Sequence, residues 1–91
     1  MDQKLVIETL TNIARLMELA GENVFKTRAF ANGARALRKL EEKEFKDLVK
    51  EGKLREIPGI GAGLEEAILA ILETGTTTDY EKMKDKIPAG L

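Results

Sequence analysis

At 91 residues, with 43% apolar and 34% charged side chains, the chain has the size and make-up of one small soluble domain spanning 1–91. It has no cysteine and no histidine, which excludes disulfides, zinc fingers and imidazole catalysis together. A net charge of −1 and a pI near 5.5 weigh against a dedicated nucleic-acid binder, whose affinity comes largely from neutralising phosphates, so the distribution of charge matters more than its sum. No apolar run reaches the length of a membrane span and the amino terminus has no signal-peptide pattern, so the expected location is the cytoplasm, with no membrane partner.

The first predicted helix has Asp2 as N-cap and Val6, Leu10, Ile13, Met17 and Ala20 at helical spacing, and Gly21 closes it. Asn23 caps a second, from about Phe25 to Leu40, with Phe25, Ala29, Phe30, Ala34, Leu37 and Leu40 on its buried face. Ala29, Ala31, Gly33 and Ala34 permit a close helix approach, although Gly33 costs about 1 kcal/mol relative to alanine. The charge of this helix is one-sided: Lys26, Arg28, Arg35, Arg38 and Lys39 have no acid among them. Such a run is either a solvated face or a phosphate-facing one. A short, strongly charged third helix follows, marked by Phe45, Leu48 and Val49 and stopped by Gly52.

Next comes Ile57-Pro58-Gly59-Ile60-Gly61-Ala62-Gly63-Leu64, which leads into the apolar spacing Leu64, Ile68, Ile71. Pro58 fixes one φ, while Gly59, Gly61 and Gly63 allow angles closed to other residues. Ile57 and Ile60 anchor the turn in a core, so the segment reads as helix, rigid hairpin, helix. Backbone amides of such a turn converge on a point that suits an anion. The fourth helix runs from about Gly63 to Glu73, closed by Gly75. Thr78 and Glu81 then have capping-box spacing, and a last short helix turns Tyr80 and Met83 inward before Pro88. No stretch has the alternation of a strand; the expected fold is all-α, a compact bundle of four to five short helices around one helix-hairpin-helix motif.

Leu54-Arg55-Glu56-Ile57-Pro58-Gly59-Ile60-Gly61 resembles the helix-hairpin-helix signature of DNA repair proteins. Gly21-Glu22-Asn23-Val24-Phe25-Lys26-Thr27-Arg28-Ala29-Phe30 and Ile87-Pro88-Ala89-Gly90-Leu91 resemble the amino-terminal domain of family X (beta-type) DNA polymerases, in the same order and with the same gaps. The resemblance implies a grip on gapped, 5′-phosphorylated DNA. In several members it also implies removal of a 5′-deoxyribose phosphate through a lysine Schiff base. Here the position matching that lysine is Ala67, the helper-lysine position is Gly63, and a further basic position falls at Asp79. Lys26 matches the 5′-phosphate-binding position, and Phe30 stands where a tyrosine often does. A methyl group cannot attack an aldehyde, so the chain is expected to be no lyase, with replacement by Lys26 or Lys53 improbable. The polymerase carboxylates of the family belong to a domain outside this sequence.

The resemblance also implies that backbone carbonyls of Arg55, Ile57 and Ile60 hold a monovalent cation, Na+ or K+; no other cofactor is expected. Around the hairpin the charges have changed sign: between Pro58 and Gly75 stand Glu65, Glu66 and Glu73 without a lysine or arginine. Glu65 occupies a position that is usually small in the family. The expected function is weak, sequence-independent DNA binding through the amides near Gly59, Gly61 and Gly63, with Lys26, Arg28, Arg35 and Lys39 supplying charge. The alternative is a natural or engineered protein-binding module, in which Ala62, Ala67, Thr76 and Thr77 form an uncharged contact surface. A bare stable domain without activity is the third reading.

Overall fold

The computed structural model describes residues 3–77 and 80–81. Within them the chain forms four α-helices, α1 (Gln3–Ala20), α2 (Val24–Arg38), α3 (Glu42–Glu51) and α4 (Ala62–Thr74), and a 3-10 turn (Leu54–Glu56), with no strand among the described residues. The all-α expectation holds. Asp2, Thr78, Asp79, Met83 and the closing Ile87-to-Leu91 block lie outside the described residues, as does most of the predicted last helix.

α1 buries Val6, Leu10, Ile13 and Met17, the i, i+3/i+4 stripe read from the sequence. It ends at Gly21 (φ 70°), with Glu22 N–H bonded to the Met17 carbonyl (2.9 Å) and Gly21 N–H to that of Glu18 (3.2 Å). Ala20, expected inside, is exposed at this last turn, where the chain reverses. α2 then packs back along α1, more extensively than any other pair of elements. Asn23 caps it, its side-chain oxygen accepting from the N–H groups of Phe25 (2.8 Å) and Lys26 (3.4 Å). At the other end, Gln3 Nε2 donates to the carbonyls of Leu37 (2.8 Å) and Leu40 (2.9 Å), so the first helix caps the end of the second.

The buried stripe of α2 is Phe30, Gly33, Ala34 and Leu37. Phe25 and Ala29, expected on that stripe, are exposed, Phe25 by 81%. Phe25 lies five positions before Phe30, about 140° round the helix. The residue that continues the stripe by one turn is Lys26. Gly33 serves packing: a Cβ there would collide with the Leu64 side chain of α4. Of the small residues read from α2, Gly33 meets α4, Ala34 is buried, and Ala31 packs against the core.

α3 places Phe45 fully inside and leaves Leu48 and Val49 half-buried. Gly52 (φ 68°) ends it as Gly21 ended α1. Leu54, Ile57 and Ile60 carry the core through the connection to Leu64, Ile68 and Ile71 of α4, and these residues share one cluster with the stripes of α1 and α2. Gly75 (φ 84°) closes α4 with its N–H on the Ile71 carbonyl (2.8 Å). Beyond it Thr77 acts as the next cap: its hydroxyl accepts from Tyr80 N–H (3.0 Å) and its carbonyl from Glu81 N–H (3.1 Å). The cap thus comes one residue earlier than the Thr78–Glu81 spacing suggested.

Candidate functional site

The hairpin begins with the turn Ile57-Pro58-Gly59-Ile60, closed by Ile60 N–H on the Ile57 carbonyl (3.0 Å). Proline second and a glycine at φ 96° third is the pattern of a type II turn, which demands positive φ at that third position. Ile57 and Ile60 are buried on either side while Pro58 and Gly59 stay exposed, so the bend is pinned from below. Of the three hairpin glycines that allow such angles, one uses them. Gly61 is extended (φ −101°, ψ −172°) and Gly63 lies in the first turn of α4; Gly59 alone of the three has positive φ.

Gly61 and Gly63 do a different job. A Cβ at Gly59, Gly61 or Gly63 would meet nothing within 4 Å, so neither backbone angle nor internal packing requires glycine at 61 or 63. Gly61 is the N-cap of α4 and has no side chain to offer the helix. The first helical bond runs from Glu65 N–H to the Gly61 carbonyl (2.9 Å), and among the described residues no acceptor serves the N–H groups of Gly59, Gly61, Ala62 or Gly63. The result is a run of backbone donors, in exposed residues, that leads into the positive end of a helix.

Along α2 the four cations read from the sequence do not converge. Lys26 sits on the stripe that faces α4, four positions before Phe30 and seven before Gly33, which meets Leu64. Arg28, Arg35 and Lys39 lie roughly on the opposite side of the helix. Arg28 lines a groove against α1 with Thr11, Arg15 and Glu18. Arg35 and Lys39 stand at the carboxyl end of α2, where cations complement the helix dipole, and that gives them a sufficient structural role. Lys26 has no such explanation: it occupies the first turn, where the dipole disfavours a positive charge.

The acid beside the hairpin is partnered. Arg55 Nε lies 3.4 Å from Glu65 Oε1, an ion pair that links the 3-10 turn to the first turn of α4. Nothing in the sequence singled out this pair, since the residues stand ten positions apart across a turn. Lys53, by contrast, is drawn away: its ammonium pairs with Glu51 (3.2 Å). That hydrogen bond, the Glu51 charge and then the Glu56 charge hold its pKa above the ordinary lysine value. The amine therefore stays protonated through neutral pH, the wrong state for attack on a carbonyl.

Ala67 is half-buried and packs on the core, and Thr77 is buried and committed to its cap. The uncharged contact surface expected from Ala62, Ala67, Thr76 and Thr77 is thus partly spent within the fold; Ala62 alone of the four is exposed. Of the three carbonyls implied for a monovalent cation, that of Ile57 accepts the turn's own hydrogen bond and retains a second lone pair. Those of Arg55 and Ile60 accept none among the described residues. Neutral carbonyls of this kind fit Na+ or K+. No group of three acidic, histidine or cysteine side chains suited to a metal occurs among the described residues, nor any helix long and apolar enough to cross a membrane.

Comparison with known proteins places this geometry. The profile of the helix-hairpin-helix domain family matches residues 1–77. The DNA polymerase/3'-5' exonuclease PolX of Bacillus subtilis (strain 168) is 33% identical over all 91 residues, and the chain spans 15% of that relative's length. No solved structure matches at a significant level.

Proposed function

We propose a function that proceeds from one fact: the chain belongs to the helix-hairpin-helix domain family found in family X DNA polymerases. It is a non-enzymatic, sequence-independent DNA-binding module that takes a backbone phosphate on the hairpin amides. The observation that carries this reading is the row of N–H groups at the exposed residues Gly59, Gly61, Ala62 and Gly63, without an internal acceptor among the described residues. A phosphate oxygen supplies the missing acceptors and meets the positive end of α4. Contacts made by main chain carry no base information, hence the lack of sequence preference.

Lys26 supplies the side-chain charge and takes the 5′-phosphate of a gapped substrate. Arg28, Arg35 and Lys39 add a diffuse field that steers DNA toward the domain from further away. A Na+ or K+ ion held by carbonyls of Arg55, Ile57 and Ile60 would supply positive charge under the phosphate. The DNA-polymerase name of the relative supports DNA as the ligand. Lyase chemistry is absent, because Ala67 has no amine and Lys53 is held protonated by its acidic neighbours. Borohydride trapping on an abasic 5′-deoxyribose phosphate should therefore give no covalent adduct.

Anisotropy titration of gapped, 5′-phosphorylated duplex over a range of salt tests the reading. Affinity should fall steeply with salt, and Lys26→Ala should reduce the slope by about 0.9. No detectable binding at low salt would overturn it. A protein contact is the second reading, and a different surface favours it: Leu19, Val24 and Phe25 stay exposed on both sides of the reversal at Gly21. Removing Phe25 should then abolish capture of the partner and leave DNA binding intact.

A further inference from the structure

Charge is divided unevenly along the chain. Residues 3–40 carry seven cations and three acids, whereas residues 41–77 carry five cations and nine acids. The hairpin belongs to the acidic part, so most of the positive charge stands elsewhere. We propose that the groove between α1 and α2 is a second nucleic-acid surface, which takes the phosphate backbone of another DNA segment and lets the domain bridge two duplexes. The inference rests on the DNA-binding reading above, and it turns Arg28 and Arg35 from sources of a diffuse field into direct contacts.

The groove, of about 300 Å³, is lined by Arg15 and Glu18 of α1, Arg28 of α2 and the small residues Ala14 and Ala31. Thr11 lines it too, and its hydroxyl accepts from Arg38 Nη2 (3.4 Å) while donating to the Ile7 carbonyl (2.8 Å). Arg15, Arg28 and Arg38 thus meet at one groove from two helices, and Arg35 follows Arg28 by two turns in the same phase. All four arginines are exposed. None forms an ion pair among the described residues, although Glu18 lines the same groove. Their guanidinium groups therefore keep the planar, two-pronged donors that suit a phosphate, which a lysine would not supply.

Arg28 and Arg35 lie roughly opposite the helical phase of Gly33, which meets Leu64 of α4. The groove is thus on the far side of α2 from α4, the helix into which the hairpin leads, and both surfaces can be occupied together. The acids on the α1 side are Glu8, Glu18 and Glu22, fewer than the cations of the same two helices, so the helix pair stays net positive. Each surface has what the other lacks. The hairpin offers main-chain amides and no lysine or arginine between Pro58 and Gly75, while the groove offers arginines on helix flanks whose own amides are spent inside the helices. A basic face that is merely solvated would add a diffuse field, and it would not recruit a second duplex.

The experiment fixes gapped, 5′-phosphorylated duplex on beads, adds the unsubstituted chain at low salt and measures capture of a second, fluorescent blunt duplex. Capture should rise about fivefold over beads without the chain and fall as salt is added. Arg15→Ala/Arg38→Ala should lower capture about tenfold, yet change affinity for the gapped duplex alone, read by anisotropy, by less than about twofold. Arg15→Lys/Arg38→Lys should restore part of the capture. Glu18→Gln should raise it about twofold, since it removes an acid that lines the groove. Circular dichroism melting separates these effects from loss of fold, and Glu18→Gln keeps the test usable if the double alanine variant melts early. No capture by a chain that still binds gapped duplex overturns the bridging assignment and leaves the hairpin reading intact. Undiminished capture by Arg15→Ala/Arg38→Ala also overturns it, because two chains joined to each other would then account for the bridge. Failure of the unsubstituted chain to bind gapped duplex removes both.

Discussion

The connection at Gly52 and the hairpin at Gly59 to Gly63 lie a few residues apart, and they use glycine in opposite ways. At Gly52 the positive φ turns the chain so that two amides find acceptors at once: Gly52 N–H on the Val49 carbonyl (3.2 Å) and Lys53 N–H on that of Leu48 (2.9 Å). Gly21 and Gly75 end their helices with amides bonded internally in the same way. At the hairpin, Gly59 makes the bend, and then Gly61 and Gly63 leave backbone uncovered with nothing inside to bond. Capping glycines finish a helix within the chain; hairpin glycines leave one unfinished toward the outside. The unsatisfied donors are what a phosphate would complete.

Substitutions can break or sharpen this contrast. The largest effect should come from Phe45→Ala, which empties a fully buried aromatic site and should cost about 3–5 kcal/mol in denaturant unfolding. Stability should then fall, and DNA binding only as far as the folded fraction does. Gly52→Ala and Gly59→Ala each force an L side chain into positive φ, at roughly 1–2 kcal/mol apiece. Only Gly59→Ala should lose DNA affinity out of proportion to its melting temperature; an equal loss from Gly52→Ala would erase the distinction. Gly63→Ala separates the two properties most cleanly. A Cβ there meets nothing and glycine is a poor helix residue, so stability should rise by up to about 1 kcal/mol. Affinity should stay unchanged, since the Gly63 amide remains in place and the added methyl group meets nothing.

Much of the fold was legible in the sequence because helical periodicity and punctuation agree. The stripes Val6–Leu10–Ile13–Met17 and Leu64–Ile68–Ile71 and the stops at Gly21, Gly52 and Gly75 all appear where the spacing places them. Phe25 misled the reading because an aromatic residue near a helix start resembles core until its phase is counted against Phe30. The site was harder to read. The one-sided charge of α2 hid that Lys26 shares the helical phase of Gly33 while Arg28, Arg35 and Lys39 lie roughly opposite. The Arg55–Glu65 pair escaped notice for a related reason: it is a consequence of the bend, and linear charge counting sees two unrelated residues. The outward amides could be anticipated from the glycines, but their lack of an internal acceptor is a property of the folded backbone.

The most direct measurement is a 15N–1H correlation spectrum followed as gapped, 5′-phosphorylated duplex is titrated in. The amides of Gly59, Gly61, Ala62 and Gly63 should shift first and furthest, with Gly21, Gly52 and Gly75 nearly still. DNA binding that leaves those hairpin amides unmoved, with the shifts gathered instead around Phe25 or the carboxyl end of α2, would contradict the account.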